Sequence, residues 1–232
     1  MSTPIKGKMI QIGGEGGLSA YLSRPEQTSE KRAGVIIIHE WVGLVPHIKD
    51  VADRYASQGY VALAPDIYRG KVANDPDTAM KLSSSVSTQA SAEMIGQALD
   101  YLKRSDFTIQ NKIGITGFCF GGTHAFNFAC VAGNGIAAAV PYYATRLPSD
   151  ELLSRISIPL LLIYGDEDRA VSKDQARKLE STLKTLGKNA ELLLYPGCPH
   201  AFFNDQNPQN YRPAAARDAW QKTLAFFRTH LS

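Results

Sequence analysis

The chain reads as an α/β protein with a mostly parallel central sheet of about eight strands and helices on both faces. Three observations predict this. After an opening hairpin, apolar runs alternate with stretches of helical periodicity, the signature of strand–helix–strand crossovers. Some apolar runs are continuous rather than alternating, as in AGVIIIHE at 33–40, which suits strands covered on both faces. Glycines at 59 and 187 close two of the helical stretches, and a left-handed residue commonly ends a helix.

Taken in order, MIQI (9–12) and LSAYLSRP (18–25) flank a glycine-rich turn and form the hairpin. The run at 33–40 is the next strand. A helix over 46–58 follows, with Ile48, Val51, Ala52 and Tyr55 on one face. VALAPDIY (61–68) is a strand, and 76–104 a long helical stretch broken near the serines at 83–87. KIGITGF (112–118) is a strand leading into a helix over 121–132. IAAAVPYYA (136–144) and PLLLIYGDED (159–168) are strands, with a helix over 172–186 after the second. NAELLLYPG (189–197) is the last strand and 213–230 a closing amphipathic helix.

Bulk properties narrow the function classes. At 232 residues, with 44% hydrophobic and 20% charged residues, the chain suits a single domain over 1–232 with a full core. Net charge is +3 and the signs are interspersed, so nucleic acid is not an expected partner. No secretory signal and no ~20-residue apolar span stands out, so no membrane association is expected and a cytoplasmic location follows. Cys119, Cys130 and Cys198 are odd in number and lack C-x-x-C spacing, which fits neither a disulfide framework nor a zinc site. Cys130 reads as core packing. Cys198 is either an oxidisable thiol or merely buried.

The chemistry starts at GFCFGG (117–122). This G-x-C-x-G sits between an apolar strand and a helix, the context of a nucleophile elbow. Glycines relieve the crowding of so sharp a turn, and the helix N-terminus favours a thiolate on Cys119. A thiol nucleophile needs a base and a group to orient that base. The acid follows a later strand and the histidine comes last. Asp166 and Asp168 both follow the 159–165 run, and the G-x-x-D spacing from Gly165 favours Asp168. His200 follows the last strand in YPGCPHAFF. His47, His124 and His230 lie on expected helices and read as structural. HEWVG (39–43) supplies the fourth piece. The oxyanion hole takes backbone N–H groups from Phe120, after the nucleophile, and from this loop, where Trp41 is the candidate. Glu40 is either a solvent-facing strand-end residue or a carboxylate that governs the proton of the thiol.

These segments resemble the dienelactone hydrolases (carboxymethylenebutenolidases), within the α/β-hydrolase fold. The resemblance runs nearly end to end, through HExxG, APDIY, GFCFGG, YGDED and HAF. It implies Cys119 as nucleophile, His200 as base, Asp168 as orienting acid and Glu40 as the group controlling the thiol. It also implies a lactone substrate bearing a carboxylate held by two arginines. Arg69 in DIYRGK stands near the first position. Asn204 occupies the second, and the nearest arginine there is Arg212. Asparagine hydrogen-bonds a carboxylate but brings no charge. Trp41, Phe120, Tyr68, Phe202 and Phe203 are candidate walls of the pocket. No metal or organic cofactor is implied. The expected partner is a small ester or lactone, and the expected state a monomer or weak homodimer. A general carboxylesterase or thioesterase is the alternative enzyme, and a ligand-binding or thiol-sensing module the non-catalytic one.

Overall fold

In the computed structural model, which describes residues 4–26, 30–131 and 135–232, the hairpin is β1 (Ile5–Ile12) and β2 (Leu18–Pro25), paired antiparallel. β1 begins four residues earlier than its apolar pattern suggests, because IKGK is mostly exposed and carries little hydrophobic signal. The remaining strands are β3 (Arg32–Ile38), β4 (Val61–Pro65), β5 (Thr108–Phe118), β6 (Ala138–Tyr142), β7 (Leu160–Gly165) and β8 (Ala190–Tyr195). All eight form one sheet in the order β1-β2-β4-β3-β5-β6-β7-β8. β2 meets β4 antiparallel, and the pairs from β4 to β8 are parallel.

The central strands behave as their continuous apolar runs demand. Val35 to Ile38 are wholly buried, each side chain contributing roughly 1.5–3 kcal/mol by leaving water. Helix α1 (Pro46–Ser57) and α7 (Pro213–His230) cover one face, where Tyr55 meets Trp220 and Phe227. The opposite face carries α3 (Thr88–Arg104), α4 (Phe120–Val131), α5 (Asp150–Ser154) and α6 (Lys173–Thr185), which neighbour one another in sequence order. The long helical stretch is two helices: α2 (Pro76–Ser85) ends at Val86, and Ser87 caps α3 by accepting from Ala90 N–H. The short α5 was not anticipated, although Ser149 caps it and Asp150 and Glu151 lie in its first turn. The expected end of the elbow helix at residue 132 lies outside the described residues.

Topology positions the site. β4 lies on one side of β3 and β5 on the other, so the order reverses at β3. Ligands of such sheets bind beyond the carboxyl ends of the strands at that reversal. The segments carrying Glu40, Cys119, Asp168 and His200 all follow carboxyl ends, those of β3, β5, β7 and β8. Among the described residues no helix is long and apolar enough to cross a membrane.

Candidate active site

β5 leads directly into Cys119, whose φ of 56° lies in the left-handed region. A residue with a side chain adopts this at a cost of order 1–3 kcal/mol, so surrounding contacts must impose it. Here they do. Cys119 N–H donates to the Tyr142 carbonyl at 3.2 Å, and the Cys119 carbonyl accepts from Thr123 N–H at 3.0 Å as α4 begins. A Cβ on Gly117 would fall 2.2 Å from the Gly121 carbonyl oxygen, and one on Gly121 2.2 Å from that of Ile38. Both positions require glycine for lack of space.

His200 Nδ1 pairs with Asp168 Oδ2 at 2.8 Å. Asp168 is buried, and its Oδ1 accepts from Ala170 N–H at 2.7 Å, which fixes the carboxylate. Burial disfavours a charged imidazole, but the Asp168 hydrogen bond and the neighbouring Cys119 sulfur outweigh it and hold His200 up at about 10. Asp166 does different work: its Oδ1 accepts from Gly197 N–H at 2.7 Å, holding the turn after β8. Of the two acids open in the sequence, only Asp168 meets the histidine.

Glu40 is buried, which removes the solvent-facing reading. Its Oε2 accepts from Asn204 Nδ2 at 2.7 Å, whereas Oε1 has no hydrogen-bond partner. Burial drives the carboxyl above its ordinary range, against the pull of His47, Asn204, His200 and Tyr143. The preceding His39 fixes the loop. Its Nε2 accepts from Ile67 N–H at 3.2 Å, so Nδ1 carries the proton and donates to the Glu40 carbonyl at 2.7 Å. That peptide unit also carries the Trp41 N–H.

Set beside the geometry, the chain's relatives give a consistent answer. The model of the dienelactone hydrolase family matches residues 18–231. The chain belongs to the dienelactone hydrolase family. As a member it is a carboxylic ester hydrolase. A protein of Aquifex pyrophilus named "Protein usf" is 34% identical over 97% of this chain and 100% of its own length. An Aquifex aeolicus protein named "Putative carboxymethylenebutenolidase" is 32% identical over 97% and 99%. The crystal structure of a Klebsiella pneumoniae protein, "Putative Dienelactone Hydrolase", superposes with a TM-score of 0.90 at 27% identity, covering 97% of this chain and 99% of that one.

In this family member a cavity of about 400 Å³ opens at Cys119, with Trp41 and Phe120 in its wall. The other proposed contacts fall elsewhere. Arg69 and Tyr68 line a neighbouring cavity of about 310 Å³, which meets the first at Val86. Arg69 is held there by a turn in which Asp66 accepts from the N–H groups of Tyr68 and Gly70. Asn204 faces Glu40, so its amide is taken by the protein's own carboxyl. Phe202 and Phe203 are buried and line neither cavity: Phe202 packs on Tyr143 and Tyr195, and Phe203 stacks on Phe118. Their place in the sequence beside His200 suggested a pocket wall, and the backbone turn at Ala201, with φ of 59°, precedes both rings as they enter the core.

Four further residues stand near the site; of these the sequence reading sets His47 and His124 aside as structural and does not single out Tyr143 or Arg146. Tyr143, buried with φ of 35°, packs its ring at 5.1 Å from that of His200 and sends its hydroxyl towards Glu40. His47 is fully buried near Glu40, with Nδ1 3.3 Å from Asp205 Oδ1. His124 and Arg146 line the Cys119 cavity. The burial of His47 could have been anticipated from its place on the apolar face of α1 with Ile48 and Val51. Nothing local marks Arg146.

Proposed function

We propose that this protein hydrolyses a small ester or lactone through a Cys119–His200–Asp168 triad and a thioester intermediate. The observation that carries this is the left-handed Cys119 elbow opening into a cavity, beside a histidine paired at 2.8 Å with a buried aspartate. The Cys119 thiolate attacks the carbonyl carbon and a carbon–sulfur bond forms. The N–H groups of Phe120 and Trp41 hold the tetrahedral oxyanion, each donor worth about 3 kcal/mol. The carbon–oxygen bond then breaks, and the leaving alkoxide or enolate takes the proton held by His200. In a lactone the leaving group stays tethered to the acyl chain. Water, deprotonated by His200, hydrolyses the thioester and returns the thiolate and the acid product. Glu40, buried and unpaired at Oε1, governs whether Cys119 rests as thiol or thiolate.

The test is steady-state hydrolysis of phenyl acetate by the wild type and Cys119→Ala, with mass spectrometry of the Cys119 peptide after rapid acid quench. Turnover lost in Cys119→Ala, together with an acetyl group found on Cys119, is the expected result. Turnover that survives in Cys119→Ala would overturn the nucleophile. A thiol acylated once without turnover would favour the thiol-sensing alternative.

A further inference from the structure

The cavity at Cys119 has a lining of two unlike kinds. Trp41 and Phe120 are its aromatic part. Its polar part is Thr123 of α4, Thr145 and Arg146 after β6, and hydroxyls around the α2–α3 junction. The polar part is braced from within. Thr123, largely buried, accepts at Oγ1 from the backbone N–H of Thr145 at 2.9 Å and of Arg146 at 3.1 Å. Its Oγ1 also lies 3.2 Å from the Thr145 hydroxyl. This bridge ties the turn carrying Arg146 to the first turn of the elbow helix, in register with the nucleophile.

Two groups of that lining have unmet bonding capacity. Among the described residues the Arg146 guanidinium has neither an ion-pair nor a hydrogen-bond partner. His124 belongs to the same lining, 7% exposed, and its Nδ1 is buried without a hydrogen-bond partner. Burial, His39 and the Arg146 charge hold this imidazole down at about 4, so it is neutral near pH 7. A cation and a neutral imidazole side by side, with no carboxylate of the protein among the cavity's lining residues, make a site for an anion.

We infer that Arg146 anchors the anionic group of the substrate, which makes the preferred substrate an ester or lactone whose carboxylate lies on the α4–β6 side of Cys119. The inference rests on Cys119 as the nucleophile. It moves the charge recognition away from Arg69, which faces the neighbouring cavity. Arg146 supplies the paired hydrogen bonds, and the neutral His124 leaves the charge of the site to Arg146.

The test compares phenyl hydrogen succinate with phenyl acetate in the wild type, Arg146→Met, Arg146→Lys and Arg69→Met. The expected result is a kcat/KM ratio of succinate to acetate above ~10 in the wild type, falling to within ~3-fold of unity in Arg146→Met, mainly through KM. Arg146→Lys restores part of the ratio. A wild-type ratio near unity, or a ratio that survives in Arg146→Met but falls in Arg69→Met, overturns the inference. A second readout keeps it separate from the nucleophile reading: calorimetric titration of Cys119→Ala with phenyl hydrogen succinate. Binding at least ~10-fold weaker when Arg146→Met is added supports the anchor even if no ester is turned over, and equal binding in the two overturns it.

Discussion

At residue scale the site depends on which atoms are already committed. Asp168 gives one oxygen to Ala170 N–H and the other to His200, so the imidazole has one orientation. Asp168→Asn is expected to lower kcat by ~10³–10⁴-fold, as loss of the orienting carboxylate does in serine triads. Proton NMR titration of His200 should then show its pKa well below about 10, because the hydrogen bond that raises it is lost. His39 acts one step back as a positioning residue. It grips the carbonyl of the peptide that carries the Trp41 N–H. His39→Leu should lower kcat at least ~10-fold with less change in KM, since an oxyanion donor acts on the transition state. His39→Asn, which keeps a donor near Nδ1, should recover part of it. Equal losses in both variants would mean that His39 only packs.

The elements differ in how much freedom their glycines have. At the β5–α4 turn Gly121 has the Ile38 carbonyl where a Cβ would go, so Gly121→Ala must push β3 away from the elbow. The expected cost is about 3 kcal/mol or more, read as a fall in the urea midpoint together with lost activity. Gly96, within α3, faces open space, with nothing within 4 Å of where a Cβ would sit. Gly96→Ala should raise stability by about 0.5–1 kcal/mol in the same measurement. The two substitutions are chemically identical, and the surroundings decide the sign. The split of the long helical stretch at Val86–Ser87 belongs here too, because Val86 is where the Cys119 cavity meets the Arg69 cavity.

Across the whole molecule, buried titratable groups give stability a maximum near neutral pH. His124, held at about 4 against an ordinary value of 6.5, binds its proton more readily when unfolded. Its stability contribution is present above 6.5 and is lost as pH falls towards 4, a swing of about 3 kcal/mol. His39, lowered mainly by burial, works in the same sense. Glu40 opposes them: its folded pKa is raised, so its burial favours folding at low pH and costs stability as pH rises. His200, raised to about 10, contributes stability below 6.5 that disappears as pH climbs through about 10. Urea denaturation from pH 4 to 7 should therefore show a shallower acid loss in His124→Phe than in the wild type. Parallel curves would rule out His124 as a source of the slope.

The sequence by itself determined what local chemistry can write. Continuous apolar runs gave the buried strands, glycines and serines the ends of the helices, and G-x-C-x-G a cysteine on a sharp turn at a strand end. Chain order and loop position then led to Asp168 and His200, because in a parallel sheet the segments after different strands converge on one edge. What the sequence did not carry was the direction and partner of several other side chains. Asn204 and Phe202 are close to His200 in sequence, yet one turns to Glu40 and the other into the core. Arg69 lies near the expected position but opens onto a second cavity. Tyr143 and Arg146 carry no local mark, since their neighbours come from strands and helices far apart in the chain, and His47, whose burial the α1 pattern indicates, meets Glu40 only through the fold. Only the tertiary structure decided those contacts, because side-chain surroundings are set by long-range packing, whereas strand order and turn chemistry are set by the residues next in line.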